Sequence, residues 1–240
     1  MKTLITKSLL LAVLTLGSTI GAQAQTTVAD AIAKLREAQN YSWTKTTETP
    51  GAPFSVALVS GKAAKDGYAI QDSKADGNSL QVVAKAGRAV AKVGAEWKAA
   101  AKLGSGKGKA SADLSELVVS RTPADELQAL AAKLVSPQQE ADGSWGGKLD
   151  DAEATSIMSG FLKHRAPMPN MKISSASGSL RVWVKDGLPQ KYVLTTSGSI
   201  SLPFGSKKLT RTATVTISEI GSATVEIPAA AKEKLDAAAP

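Results

Sequence analysis

The only histidine in the chain is His164, in Lys163-His164-Arg165. An imidazole there would have two cationic neighbours, which disfavour its protonated form. A hydrolytic triad also needs a nucleophile and an orienting acid around its base. Serines are plentiful, yet none stands in a G-x-S-x-G elbow. His164 therefore reads as an exposed loop residue. The chain has no cysteine, which removes thiolate nucleophiles, thiolate metal sites and disulfides together.

Asp142, Asp150, Asp151 and Glu153 form the densest acidic group. Carboxylates so placed could do general acid/base work or hold Ca²⁺. Their spacing fits no EF-hand loop, and Asp150 with Glu153 already suits a helix start. Gly104-Ser105-Gly106-Lys107-Gly108-Lys109 falls short of a phosphate loop: the first glycine of G-x-x-x-x-G-K-[ST] is missing and no buried strand precedes it. Neither a metal nor a cofactor is expected.

Trp43, Trp97, Trp145 and Trp183 stand out in a chain only 4% aromatic. Trp and Tyr join a large contact area to a polar handle, which suits the mouth of an apolar pocket. Packing in a sheet short of other large residues is the plainer account of each. Trp43, Trp183, Tyr192 and Leu194 are the candidate ligand-binding residues, because they sit on strands of the expected concave sheet.

Thr27-Val28-Ala29-Asp30 is a capping box, and Val28, Ile32 and Leu35 recur at helical spacing, predicting a helix over 28–39. Strand patterns follow at 41–48 and around Phe54, Val56, Leu58 and Ser60. Asp66-Gly67 turns into Tyr68-Ala69-Ile70. The runs 80–85 and 88–93 flank Ala86-Gly87 as a hairpin. Residues 99–112, rich in Ala, Gly, Ser and Lys, read as a flexible loop. A short strand at 117–119 leads to Thr122-Pro123, which opens a second helix with the stripe Leu127, Leu130, Leu134. Turns at Asp142-Gly143 and Gly146-Gly147 precede a third helix capped by Asp150. Three long strands are expected at 171–185, 190–200 and 209–220, joined by Asp186-Gly187-Leu188-Pro189 and Leu202-Pro203-Phe204-Gly205. In them Trp183, Tyr192, Leu194, Val215 and Ile217 alternate with polar residues, as in an antiparallel meander with one wet face. A strand at 223–227 and a helix in the Ala-rich tail complete the chain.

The fold class expected is α+β: a strongly curved antiparallel sheet, a half-open β-barrel, with helices covering its concave side. Strands longer than the usual five or six residues must coil.

Met1-Lys2 and Lys7, the apolar run 8–16 and Ala22-Gln23-Ala24 have the positive start, short core and A-x-A exit of a signal peptide. Residues 1–24 are expected to be removed and 25–240 to form one domain, periplasmic or secreted. With no cysteine for a lipobox the domain would be unanchored, and no later run is long enough to span a membrane. Loss of Lys2 and Lys7 leaves 27 basic against 21 acidic residues, a net charge of +6. Scattered lysines and export speak against nucleic acid.

The helix running into Tyr41-Ser42-Trp43, the strand–turn–strand from Val182-Trp183-Val184 to Tyr192-Val193, and the closing Thr214-Val215-Thr216-Ile217 with Val225-Glu226-Ile227-Pro228 resemble the periplasmic lipoprotein-carrier and lipid-carrier superfamily, the LolA-like and LppX-like half-open barrels. The match is strongest over 165–235. The resemblance implies carriage of a lipid or a lipoprotein acyl chain inside the barrel, and no catalysis. A non-catalytic structural domain that docks on another envelope protein is the alternative. A hydrolase using Asp142, Asp150 and Asp151 is the third.

Overall fold

The computed structural model describes residues 19–50, 57–75, 78–100, 121–165, 172–202 and 205–237. The predicted loop at 99–112 and strand at 117–119 lie almost wholly outside them, as do Phe54, Val56, Pro203 and Phe204. The chain folds as α1 (Thr19–Glu37), β1 (Asn40–Glu48), β2 (Ala57–Ala64), β3 (Ala69–Ala75), β4 (Asn78–Lys85), β5 (Arg88–Val93) and β6 (Glu96–Ala99). Then come α2 (Pro123–Ala131), β7 (Leu134–Gln139), β8 (Trp145–Leu149), α3 (Asp151–Arg165), β9 (Lys172–Lys185), β10 (Leu188–Leu202), β11 (Gly205–Ser218) and α4 (Ala229–Ala237).

Among the described residues eleven strands join one sheet in the order β6-β5-β4-β3-β2-β1-β11-β10-β9-β8-β7, and every neighbouring pair is antiparallel. The two edges, β6 and β7, do not pair with each other, so the barrel stays half open. One apolar cluster runs from Ala69 on β3 across the sheet to Trp145 and Leu149 on β8, with α1 and α2 inside it. A flat sheet with strands about 4.8 Å apart could not bring those strands around two helices; this one curls around them. Strands of 14, 15 and 14 residues, β9 to β11, form its back wall.

Two turns require left-handed backbone. Ala86-Gly87 (φ 50° and 76°) and Asp186-Gly187 (φ 54° and 72°) both have positive φ at the two central positions, the geometry of a tight hairpin whose twist matches its strands.

Several expectations change. Helix α1 begins at Thr19, so Thr27 lies within it instead of at its start. Leu134 opens β7 instead of ending a helical stripe, and residues 134–149 make a hairpin that the turn-rich sequence concealed. Gly146-Gly147 is strand, not turn; a Cβ on Gly146 would lie 2.0 Å from the Leu180 carbonyl oxygen, so only glycine lets β8 approach β9 there. Residues 223–227 form no strand. His164 lies near the end of α3, not in a loop.

Helices α1, α2 and α3 lie on the concave side, α3 through Met158 and Leu162 against Ile200 and Leu209. Helix α4 does not. Its Ala231 and Leu235 pack on Tyr68, Val83, Val90 and Trp97, which the register puts on the convex face of β3–β6. Arg88 donates to the Leu235 carbonyl at 2.7 Å, a favourable cation at that helix's C-terminal end.

Candidate functional site

The alternation Tyr41, Trp43, Lys45 points a lysine into the concave, mostly apolar face of β1. Lys45 pairs across the ladder with Val215 on β11, and Val215 pairs in turn with Tyr192 on β10. Ammonium and phenol therefore lie in one rung, two strand spacings apart. Helix α2 lays a carboxylate between them. Glu126 accepts from Lys45 Nζ at 3.0 Å on Oε1 and 3.4 Å on Oε2, and Oε2 also accepts from the Tyr192 hydroxyl.

Local sequence positions α2 for this. The Thr122 hydroxyl accepts the Asp125 N–H at its N-cap, and Pro123 stands in the first turn. Ala124, Leu127 and Leu130 are buried, so Glu126 is drawn inward with them. The Ala124 N–H donates to the Tyr41 hydroxyl at 3.4 Å, and Arg36 on α1 pairs with Asp125 at 3.6 Å.

Burial would raise the Glu126 carboxyl, but the Lys45 ammonium, the Tyr192 hydroxyl and the charge of Arg211 outweigh it and hold the pKa below the ordinary carboxylate value. Burial and then the negative charge of Glu126 push Tyr192 well above the usual phenol range, so it stays a neutral donor. The Lys45 and Glu126 side chains keep 20% and 22% of their surface exposed, so the pair remains within reach of solvent.

A cleft of about 300 Å³ opens between α1 and α2, lined by Val28, Ile32, Arg36, Gln128, Ala131 and Trp145. Trp145 is buried, and its indole N–H has no protein acceptor among the described residues. No family model matches this chain, and no curated protein does. Solved structures with a similar arrangement exist. LprF from Mycobacterium bovis is 14% identical, over 89% of this chain and 100% of that one, with a TM-score of 0.45. A LolA superfamily protein from Nitrosomonas europaea is 12% identical, over 87% and 96%, with a TM-score of 0.34. A putative outer membrane lipoprotein-sorting protein domain from Vibrio parahaemolyticus is 9% identical, over 80% and 91%, with a TM-score of 0.33. Likeness at this level transfers no function.

Of the four candidate residues, Trp43, Tyr192 and Leu194 face the hollow, each buried. Trp43 meets the Tyr41 ring at 5.8 Å between centroids. Trp183 does not join them. It pairs with Lys191, one residue out of phase with Tyr192, and so lies on the convex face between Arg181 and Lys191, whose cations stand 5.5 and 4.9 Å from its ring. Trp97 is also on the convex side, under α4.

Two members of the acidic group have structural partners. Asp150 accepts the Glu153 N–H at 2.6 Å as the cap of α3. Asp142 accepts from the Ser144 hydroxyl and N–H, which hold its pKa low, and faces Arg181 at 3.5 Å. Among the described residues no three metal-ligating side chains gather. Sequence reasoning missed Lys45, Glu126 and Tyr41. The signal was present, since a lysine in phase with Tyr41 and Trp43 must find an acid inside.

Proposed function

We propose that the chain is a non-catalytic carrier that shelters an apolar chain, such as the acyl chain of a lipid or lipoprotein, in the hollow of its half-barrel. One observation carries this reading. The concave face is apolar over Trp43, Leu180, Val182, Leu194, Val215 and Ile217, yet what covers that stretch is two separate helices with a cleft between them, not a second sheet. The cleft is at the lower end of ligand-pocket volumes. An acyl chain enters there and displaces α2, a helix of only nine residues held by Leu127, Leu130 and the Glu126 contacts together with the Tyr41 and Arg36 contacts of its first turn. Each CH₂ sheltered contributes about 0.8 kcal/mol. The A-x-A exit after the apolar N-terminal run supports a carrier that works in the periplasm or outside the cell, and the net positive charge favours anionic envelope surfaces. Among the described residues no helix is long and apolar enough to cross a membrane.

A second reading rests on the filled interior. Leu35, Leu127 and Tyr192 are almost wholly buried, as in a packed interaction domain that docks on another envelope protein. Titration with a fluorescent fatty acid separates the two. The carrier takes it up with saturation at one site; the packed domain leaves its fluorescence unchanged.

A further inference from the structure

The concave face has a polar interruption that packing alone does not call for. Lys45 on β1 and Arg211 on β11 both occupy inward positions, Arg211 two inward positions before Val215. The Arg211 guanidinium stacks over the Phe161 ring of α3 at 4.9 Å. The Tyr192 hydroxyl, a neutral donor, shares the Glu126 carboxylate with Lys45, and the charge of Arg211 also acts on that carboxylate. The group that meets Lys45 and Tyr192 is the carboxylate of Glu126, brought by the helix that an entering ligand displaces.

We propose that Lys45 and Tyr192, within the field of the Arg211 charge, form an anion subsite at the floor of the hollow, that Glu126 fills it here as an internal stand-in, and that the acidic headgroup of an acyl ligand, a carboxylate or a phosphate, replaces it. This deepens the carrier reading and depends on it. Helix α2 imitates such a ligand: Glu126 supplies the anion, and Leu127 and Leu130 supply the apolar body next to it. The physical reason is the cost of an uncompensated charge. A neutral lipid that pushed α2 aside would leave Lys45, whose side chain is 20% exposed, without its carboxylate partner, a penalty comparable to about two buried methylenes. A ligand with its own anion restores both hydrogen bonds, and charge-assisted contacts of this kind are the strong ones. The site therefore selects anionic amphiphiles over neutral ones of the same length.

The test compares a fluorescent fatty acid with its neutral methyl ester on the full chain. The wild type is expected to prefer the acid by on the order of tenfold. Lys45→Met should erase that preference while keeping ester binding. Tyr192→Phe, which keeps the ring, should reduce it several-fold, and Glu126→Gln should tighten acid binding. Circular dichroism verifies folding of each variant, and Tyr192→Phe serves if Lys45→Met does not fold. Inorganic phosphate that competes with the acid extends the subsite to free anions; phosphate that does not compete assigns it to headgroups tethered to a chain. Equal binding of acid and ester by the wild type, or equal loss of both in Lys45→Met, overturns the subsite and leaves the carrier reading standing. Uptake of neither probe by the wild type or by Glu126→Gln removes both.

Discussion

Tyr192 donates its hydroxyl to Glu126 from one strand while Lys45 grips the same carboxylate from two strands away, with Val215 in the rung between them. Helix α2 is thus tied to the sheet at one charged point, and the tie and the surrounding apolar contacts can be tested separately.

Cutting the tie should loosen the fold without abolishing it. Lys45→Ala leaves the Glu126 carboxylate with a single side-chain donor in a half-buried place, and should cost about 1–3 kcal/mol. Urea unfolding measures it. A double change, Lys45→Ala with Glu126→Gln, should recover part of the loss, because the carboxylate that lost its ammonium is then neutral as well.

The same contact sets a pH dependence. The Glu126 pKa lies below its ordinary 4.5 in the folded protein, so its contribution is complete above about pH 5 and is lost as pH falls through the folded value. Tyr192 is raised above its ordinary 10.0, so its contribution holds below that pH and is lost as pH climbs towards the folded value. Urea midpoints between pH 3 and pH 7 should fall on the acid side for the wild type. In Glu126→Gln that acid-side slope should be shallower.

Glycines beside the core have a steric role. A Cβ on Gly61 would lie 2.2 Å from the Trp43 indole, so Gly61→Ala must push that ring off the floor of the hollow, at about 1–3 kcal/mol. Tryptophan fluorescence should shift with the loss of stability. An unchanged spectrum and stability would show that the indole has room the structure does not provide.

The two faces of the sheet predict opposite outcomes for two tryptophans. Trp43→Ala removes a buried wall of the hollow and should weaken uptake of a fluorescent fatty acid. Trp183→Ala, on the convex face between Arg181 and Lys191, should leave uptake unchanged. Weakened uptake in Trp183→Ala alone would mean that the ligand lies outside the barrel.

Much of the layout was readable because strong local signals agree with the fold. The alternation through Tyr192, Leu194, Val215 and Ile217 marks the back wall, and Ala86-Gly87 and Asp186-Gly187 mark tight hairpins. The β7–β8 hairpin was hidden because Pro137, a bulge between Val135 and Gln138, and paired glycines look like loop chemistry. Trp183 was assigned to the wrong face because a strand's inward side depends on register, and a shift between Pro189 and Lys191 sits next to it. The helix α4 on the convex face follows from tertiary packing that no local pattern records. Glu126 could not be picked out from its neighbour Asp125, because only the position of α2 decides which carboxylate turns inward.

The central claim is that the hollow holds an acyl chain, and it is tested most directly by extracting the protein purified from its native compartment with organic solvent and analysing the extract by mass spectrometry. One acyl-bearing species in roughly molar proportion to the protein, depleted in Trp43→Ala, is the predicted result. An extract with no lipid above that of a control protein of like charge would contradict the claim.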